Sequence, residues 1–195
     1  SYQGDFINGK FIKVEKPSGQ FKDISPADLN DLVMQVPFSH DHVDMAVESA
    51  RKAYKSWSHL KMEDRIHHLM KLKNVFEAEK EQLALAIARD TGKPKWEALN
   101  EATTVISKID VTVKESIKLI QTERIQNALP SVDGVIRYKS RGVMSVIGPF
   151  NFPAHLPNGH IIPALLMGNT VVFKPSEQTP FVGQVYSQCF EKAEL

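Results

Sequence analysis

The 195-residue sequence has one cysteine, no excess of either charge and no long apolar run, and each absence excludes a class of protein. A single cysteine, Cys189, cannot form an internal disulfide or seed a zinc cluster, so we expect a reducing, cytoplasmic location. A formal net charge of +1 argues against nucleic-acid binding. No apolar run reaches the roughly 18 residues that a membrane span needs, and the polar start has no signal core. The remaining classes are an enzyme and a small-ligand-binding protein.

Familiar phosphate-binding and metal-binding motifs are also missing. Neither GxGxxG nor GxxxxGK[ST] occurs, since the Gly92-Lys93 pair has no glycine five residues before it. The seven histidines include no HExxH spacing, and we interpret them as solvated or packing residues rather than metal ligands. We therefore expect neither phosphoryl transfer nor a metal site.

Within the first 120 residues the hydrophobic period changes from that of strands to that of helices near residue 41. Before that point the Asn8-Gly9 pair predicts a tight hairpin, because both residue types tolerate positive φ. After it, apolar residues recur at helical spacing. Three helices are predicted: residues 41–57, about 62–89, and a longest helix with an apolar seam from Leu99 to Ile120.

The C-terminal part of the sequence predicts a parallel βαβ unit. Two β-branched runs, 143–147 and 170–173, flank a short apolar helical segment from Ile161 to Met167. Two strands and a helix within about 30 residues form a right-handed crossover between parallel strands. A further helix is predicted from Pro180 to Ala193. The predicted fold class is α/β, with long helices before a Rossmann-like unit.

Ligands of open parallel sheets bind beyond the carboxyl ends of the strands, so the residues after each strand are candidates. After the first strand, Asn151 lies between two aromatic residues and two prolines, where a rigid backbone could aim its carboxamide N–H at an oxyanion. The alternative is a turn asparagine that bonds its own backbone. After the second strand, Lys174 and Glu177 could bond the hydroxyls of a ribose. The alternative is a surface ion pair beside a helix whose N-cap is Ser176.

A long motif runs from residue 140 to residue 180: SRGVMSVIGPFNFPAHLPNGHIIPALLMGNTVVFKPSEQTP. Its GV, buried strand, PFNFP, GNTVV and KPSEQTP elements, in this order, resemble the aldehyde dehydrogenase superfamily throughout. Upstream, FINGKF, SARKAYKSW and RDTGKPKWEALNE are similar to the N-terminal half of that family. Within the superfamily, HLPNGH and TGKPKWE resemble the N-succinylglutamate 5-semialdehyde dehydrogenases of arginine breakdown.

The resemblance implies a domain organisation. Residues 1–120 would provide strands and helices of a cofactor-binding domain, 121–142 two strands of an oligomerisation arm, and 143–195 the first βαβ unit. The full-length form would be a homo-oligomer. Asn151 would donate to the thiohemiacetal oxyanion, together with the backbone N–H of the catalytic cysteine.

The resemblance also implies a nicotinamide dinucleotide at the strand ends. Lys174 and Glu177 would bind the adenosine ribose, and Ser176 would lie beside the adenosine half. The carboxylate of Glu177 favours NAD, because a 2′-phosphate would meet its negative charge, although NADP is also possible. The complete set of expected cofactor-binding residues is Ile147, Gly148, Pro149, Phe150, Lys174, Ser176 and Glu177.

The family's nucleophilic cysteine and general-base glutamate have no counterpart in the sequence. Cys189 lies in a predicted helix outside any matching motif, and we expect a buried packing thiol. The resemblance therefore implies the N-terminal part of an NAD-dependent dehydrogenase, inactive alone, whose small-molecule substrate is the semialdehyde of succinylglutamate. Two alternatives stay open: a non-catalytic nucleotide-binding or subunit-pairing module, and a dehydrogenase of another aldehyde.

Overall fold

The structure is a computed structural model that describes all 195 residues, and it confirms the predicted α/β class. Strands pair into four two-stranded sheets, three antiparallel and one parallel. The strands are β1 (Asp5–Ile7), β2 (Lys10–Ile12), β3 (Gly19–Ile24), β4 (Leu32–Phe38), β5 (Glu123–Leu129), β6 (Val132–Ile136), β7 (Val143–Ile147) and β8 (Thr170–Lys174). The helices are α1 (Asp41–Trp57), α2 (Met62–Ala78), α3 (Lys80–Thr91), α4 (Lys95–Lys114), α5 (His155–Leu166) and α6 (Pro180–Ala193), with a 3₁₀ turn at Ser116–Ile120. None of these helices combines the length and apolar composition that a membrane crossing requires.

The first hairpin forms at the predicted Asn8-Gly9 pair. These residues have φ angles of 55° and 76°, the positive values that a type I′ turn requires. β1 and β2 pair in antiparallel register around the turn, and the rings of Phe6 and Phe11 lie 5.3 Å apart between centroids. The local sequence therefore sets both the turn and the register.

The single helix expected over residues 62–89 is interrupted, so that prediction is wrong. Glu79, with φ −96° and ψ 9°, separates α2 from α3. The bend lets both helices pack against α6, where the Glu79 carboxylate pairs with Lys192 at 2.6 Å. No glycine or proline marks the break. The packing of both helices against α6 therefore overrides the local helix propensity. The next helix, α4, ends before Ile120, which lies in the 3₁₀ turn.

One apolar core joins the helices to the parallel sheet. Its 22 buried residues come from α2 to α6, from β7 and from the residue before α5. Phe76 of α2 and Tyr186 of α6 are among its buried side chains, and their ring centroids lie 5.3 Å apart. Burying a large apolar side chain contributes about 1.5–3 kcal/mol. The core therefore fixes the parallel strands relative to α3, α4 and α6.

The predicted parallel βαβ unit is present, with a longer helix than expected. β7 and β8 pair in parallel and place Ile147 opposite Lys174. The connecting helix α5 begins at His155, well before the expected start at Ile161. It begins early because a carboxylate on α4 accepts the backbone N–H groups that open the helix. The last helix, α6, has the predicted bounds.

The predicted arm, residues 121–142, contains an antiparallel hairpin of β5 and β6. Its side chains are almost all exposed, and several are apolar. The exposed apolar residues are Ile125, Leu129, Val132, Val135 and Ile136. The hairpin buries little against the rest of the chain, which leaves its strand edges and apolar side chains available to another surface.

Candidate functional site

Two segments lie side by side at the carboxyl ends of the parallel strands. The β7–α5 segment comprises residues 148–154, and the β8–α6 segment comprises residues 174–179. They meet where the Gly148 N–H donates to the Lys174 carbonyl at 2.9 Å. A Cβ at position 148 would lie 3.0 Å from the Phe173 ring and 3.3 Å from Pro157, so the close approach favours glycine. Exposed Ile147 and Phe150 flank this junction.

Asn151 is exposed in the β7–α5 segment and lines a cavity of about 360 Å³. Asp90, Lys93 and Thr179 also line this cavity. The Asn151 carboxamide makes no hydrogen bond to the protein, and in particular none to its own backbone. The turn role considered as an alternative is therefore not observed, and the N–H of the carboxamide is available to a ligand.

The β7–α5 segment is held by a residue that the sequence analysis missed. Glu101 of α4 has a side chain only 1% exposed. Its Oε1 accepts the backbone N–H groups of Ala154 and His155 at 3.0 and 3.1 Å, and its Oε2 accepts Lys93 Nζ at 3.1 Å. The same ammonium lies 3.7 Å from the centroid of the Phe152 ring. No local spacing signals these contacts, since α4 lies some 50 residues upstream of the segment.

The β8–α6 segment presents an exposed ion pair. Lys174 Nζ lies 3.2 Å from Glu177 Oε2, and the two side chains are 58% and 69% exposed. Hydrogen bonding from its own backbone N–H, and then the Lys174 ammonium, lowers the pKa of Glu177 below its ordinary value. Glu177 is therefore a carboxylate at neutral pH, and both side chains are accessible to a nucleotide.

Ser176, between these two residues, does not have the capping role considered as an alternative. The N-cap of α6 is Thr179, and Ser176 lies upstream of it. The Ser176 hydroxyl accepts the Gln178 N–H at 3.2 Å, and the residue is buried. It shapes the turn before α6 rather than the helix end itself.

Two buried carboxyls, Asp90 and Asp23, lie next to each other, and Asp90 lines the cavity. Asp90 Oδ2 accepts the Val182 N–H of α6 at 2.9 Å. Burial raises the pKa of Asp90 to about 8 and that of Asp23 to about 6. One oxygen of each carboxyl has no hydrogen-bond partner when both are ionised, and a proton on Asp90 lets it donate to Asp23. The pair is therefore most stable in the folded protein when it carries a proton.

Cys189 is a buried thiol of the core, as expected. It is 1% exposed, and burial raises its pKa to about 12. Such a thiol is protonated at neutral pH and lies away from solvent, so it is unsuited to attack an aldehyde. No group of three or more His, Cys, Asp or Glu side chains is arranged to hold a metal ion.

The chain is similar to curated dehydrogenases in sequence. It is 39% identical over 190 residues to the N-succinylglutamate 5-semialdehyde dehydrogenase of Chromobacterium violaceum, covering 97% of this chain and 38% of that protein. The enzyme of the same name from Vibrio cholerae is 43% identical over 160 residues, covering 80% of this chain and 32% of that protein. The chain therefore spans about a third of the length of these relatives.

Solved structures of the same class superpose on the whole chain. An aldehyde dehydrogenase of Brucella melitensis biovar abortus has a TM-score of 0.91 at 26% identity, covering 100% of this chain and 40% of that chain. An NADP-dependent glyceraldehyde-3-phosphate dehydrogenase of Bacillus halodurans, complexed with NADP, has a TM-score of 0.89 at 25% identity, covering 100% and 42%. A model of the aldehyde dehydrogenase family matches residues 12–195. The chain therefore belongs to the aldehyde dehydrogenase family.

Proposed function

We propose that this chain is the N-terminal part of an NAD-dependent dehydrogenase that oxidises N-succinylglutamate 5-semialdehyde to the acid. One observation carries the proposal: the free carboxamide of Asn151 and the exposed Lys174–Glu177 pair follow neighbouring parallel strands. The first is a donor for an oxyanion, and the second offers a donor and an acceptor to a ribose. Oxidation of an aldehyde through a thiohemiacetal by a bound dinucleotide would use both kinds of group in one crevice.

The residues at the strand ends fit a nicotinamide dinucleotide. Lys174 and Glu177 are exposed and would hydrogen-bond the adenosine ribose, with Ser176 in the turn between them. Ile147 ends β7, and Gly148, Pro149 and Phe150 follow it. These four residues would line the cleft beside the strand. The ionised Glu177 supports NAD over NADP, because a 2′-phosphate would lie near its negative charge. When bound, the dinucleotide supplies the hydride acceptor.

The role proposed for Asn151 is electrostatic. Its carboxamide N–H would donate to the oxygen that becomes negatively charged when a thiolate adds to the aldehyde. The thiolate and the general base would come from residues outside these 195, because the buried Cys189 is protonated and the relatives are about two and a half times as long. The chain by itself would then be inactive.

The substrate assignment rests on the relatives. Several N-succinylglutamate 5-semialdehyde dehydrogenases are about 40% identical to this chain over most of its length. The motifs HLPNGH and TGKPKWE, which resemble this group, lie at the start of α5 and across the junction of α3 and α4. The substrate is therefore a small aldehyde with a carboxylate-bearing tail.

We further propose that the complete protein is a homo-oligomer that pairs through the β5–β6 hairpin. The hairpin exposes apolar side chains and unpaired strand edges, which a second copy could cover. Replacing two of these side chains, as in an Ile125→Lys, Val135→Lys variant, should lower the mass measured by light scattering. An unchanged mass would place the subunit contact elsewhere.

Steady-state assays of the full-length protein test the proposed reaction. We expect NAD reduction with N-succinylglutamate 5-semialdehyde at a kcat/KM at least tenfold above that with short unsubstituted aldehydes. Equal values for the two substrates would reject the substrate and leave a general aldehyde dehydrogenase. Absence of NAD and NADP reduction with every aldehyde, alongside measurable dinucleotide binding, would favour a non-catalytic nucleotide-binding module.

A further inference from the structure

Asn151 depends on its neighbours for its position. Its carboxamide makes no hydrogen bond to the protein, whereas the residues directly after it are held firmly. The ring of Phe152 lies against the Lys93 ammonium, and the N–H of Ala154 donates to Glu101. Pro153, between them, fixes its own φ and restricts the residue before it. The backbone from Asn151 to Ala154 therefore has little conformational freedom.

The start of α5 explains why a distant carboxylate is needed. Ala154 occupies the N-cap position and has no side chain that could accept the free N–H groups of the first turn. A serine or aspartate at this position would cap the helix locally, with no connection to another helix. Here Glu101 of α4 caps it instead, and Lys93 neutralises the buried charge. The cap thereby ties the β7–α5 segment to the apolar core.

We propose that Glu101 is a positioning residue, which fixes the Asn151 carboxamide at the distance and angle that oxyanion stabilisation requires. The proposal rests on the proposed function. An oxyanion donor acts over a narrow range of about 2.7–3.1 Å, so a shift of about 1 Å in the segment would remove most of its effect. Glu101 itself contacts no reacting atom and acts only through the backbone of Ala154 and His155.

Crystal structures of full-length variants test the position directly. In Glu101→Ala, which removes both acceptors, we expect the Asn151 carboxamide to move by about 1 Å or more, or to occupy more than one conformation. Glu101→Gln keeps an oxygen for the two backbone N–H groups, so Asn151 should return close to its original place. A control, Glu97→Ala, removes a carboxylate on the same helix that lies 3.7 Å from Lys93 and does not contact the segment.

Kinetics separate positioning from a merely structural role. We expect Glu101→Ala to lower kcat about tenfold with the KM for NAD little changed, Glu101→Gln to recover most of it, and Glu97→Ala to match the original. In an Asn151→Ala background, Glu101→Ala should cause no further loss, because the group that it positions is gone. If Glu101→Ala does not fold, Glu101→Asp, whose shorter side chain draws the carboxylate back from the Ala154 and His155 N–H groups, provides the same double-variant test.

Two results would overturn the inference. One is an unmoved Asn151 in the Glu101→Ala structure. The other is a loss of kcat that multiplies with that of Asn151→Ala, since independent losses indicate separate roles. If the original protein oxidises no aldehyde, the proposed function fails, and the crystal structures alone then decide whether Glu101 positions Asn151.

Discussion

The two segments that follow β7 and β8 lie against each other, yet the structure holds them in different ways. The β7–α5 segment is fixed from below by the buried Glu101 carboxylate and by the tight contact at Gly148. The β8–α6 segment carries the exposed Lys174–Glu177 pair, whose contacts are local. On the proposed function the first segment aims one donor at a reacting atom, whereas the second only binds a nucleotide. On this view, a donor that must point at a reacting atom requires contacts with the core, whereas a pair that only adds affinity for a nucleotide does not.

Removing the Asn151 carboxamide should have the largest effect on this comparison. We expect Asn151→Ala in the full-length protein to lower kcat about 100-fold or more, the usual loss for one oxyanion donor, with the KM for NAD little changed. Steady-state kinetics with saturating aldehyde measures both values. Asn100→Ala, which alters an exposed asparagine on α4, serves as the control. An unchanged kcat in Asn151→Ala would remove this residue from the mechanism.

Asp90, which lines the cavity that both segments border, should make the stability of the fold depend on pH. Burial raises the pKa of Asp90 to about 8, so the folded state binds a proton that the unfolded state releases above about pH 4. The contribution of the Asp90 proton to stability is then fully present below about pH 4 and is lost as the pH rises to about 8. Asp90→Asn should lessen this fall by at least about 1.4 kcal/mol, the equivalent of one pKa unit.

Chemical unfolding at a series of pH values measures the Asp90 effect. The carboxamide oxygen that Asp90→Asn introduces would still accept the Val182 N–H, so the variant is expected to fold. Asp133→Asn, at an exposed carboxylate of β6, is the control. Parallel pH profiles for Asp90→Asn and the original protein would contradict the raised pKa.

The exposed pair should affect nucleotide binding more than turnover. Lys174→Ala or Glu177→Ala should each raise the Kd for NAD about five- to tenfold, because each removes a hydrogen bond worth about 1–1.4 kcal/mol. Isothermal titration calorimetry of the full-length protein with NAD measures the change in Kd. Lys118→Ala, from a similarly exposed pair with Glu115, is the matched control. An unchanged Kd would make the Lys174–Glu177 pair a surface ion pair alone.

The smallest expected effect concerns the choice between the two dinucleotides. Glu177→Gln removes the negative charge near the expected 2′-phosphate, and we expect NADP to bind a few-fold more tightly relative to NAD. The Tm should not change measurably, because an exposed ion pair contributes little to stability. Parallel NAD and NADP titrations test the preference. A constant ratio of the two Kd values would mean that Glu177 does not lie near the 2′ position.

The sequence predicted those parts of the fold that local chemistry determines. The Asn8-Gly9 turn, the β-branched runs of β7 and β8 and the bounds of α6 all follow from short-range signals. The break at Glu79 and the early start of α5 do not, because each depends on a partner in another helix. Local patterns indicate elements, and contacts across the core decide where the elements bend and begin.

The same division applies to the candidate site. The residues after each strand were found from the rule for parallel sheets, and the structure brings both segments together. Glu101 was missed because nothing within its own helix distinguishes it from a solvent-facing glutamate. Its burial, and its two bonds to backbone N–H groups, exist only in the folded chain. The cap considered for Ser176 as an alternative followed from its residue type, which favours caps, but Thr179 occupies that position.

The burial of Cys189 gives the chain a natural reporter of unfolding. The thiol lies on α6 in the core and reacts only as a thiolate, so an alkylating reagent must wait until the helix opens. The modification rate at Cys189 therefore measures how often α6 leaves α2 and α3, the helices against which it packs. A residue with no proposed role in the reaction thus reports each opening of the helix that follows the β8–α6 segment.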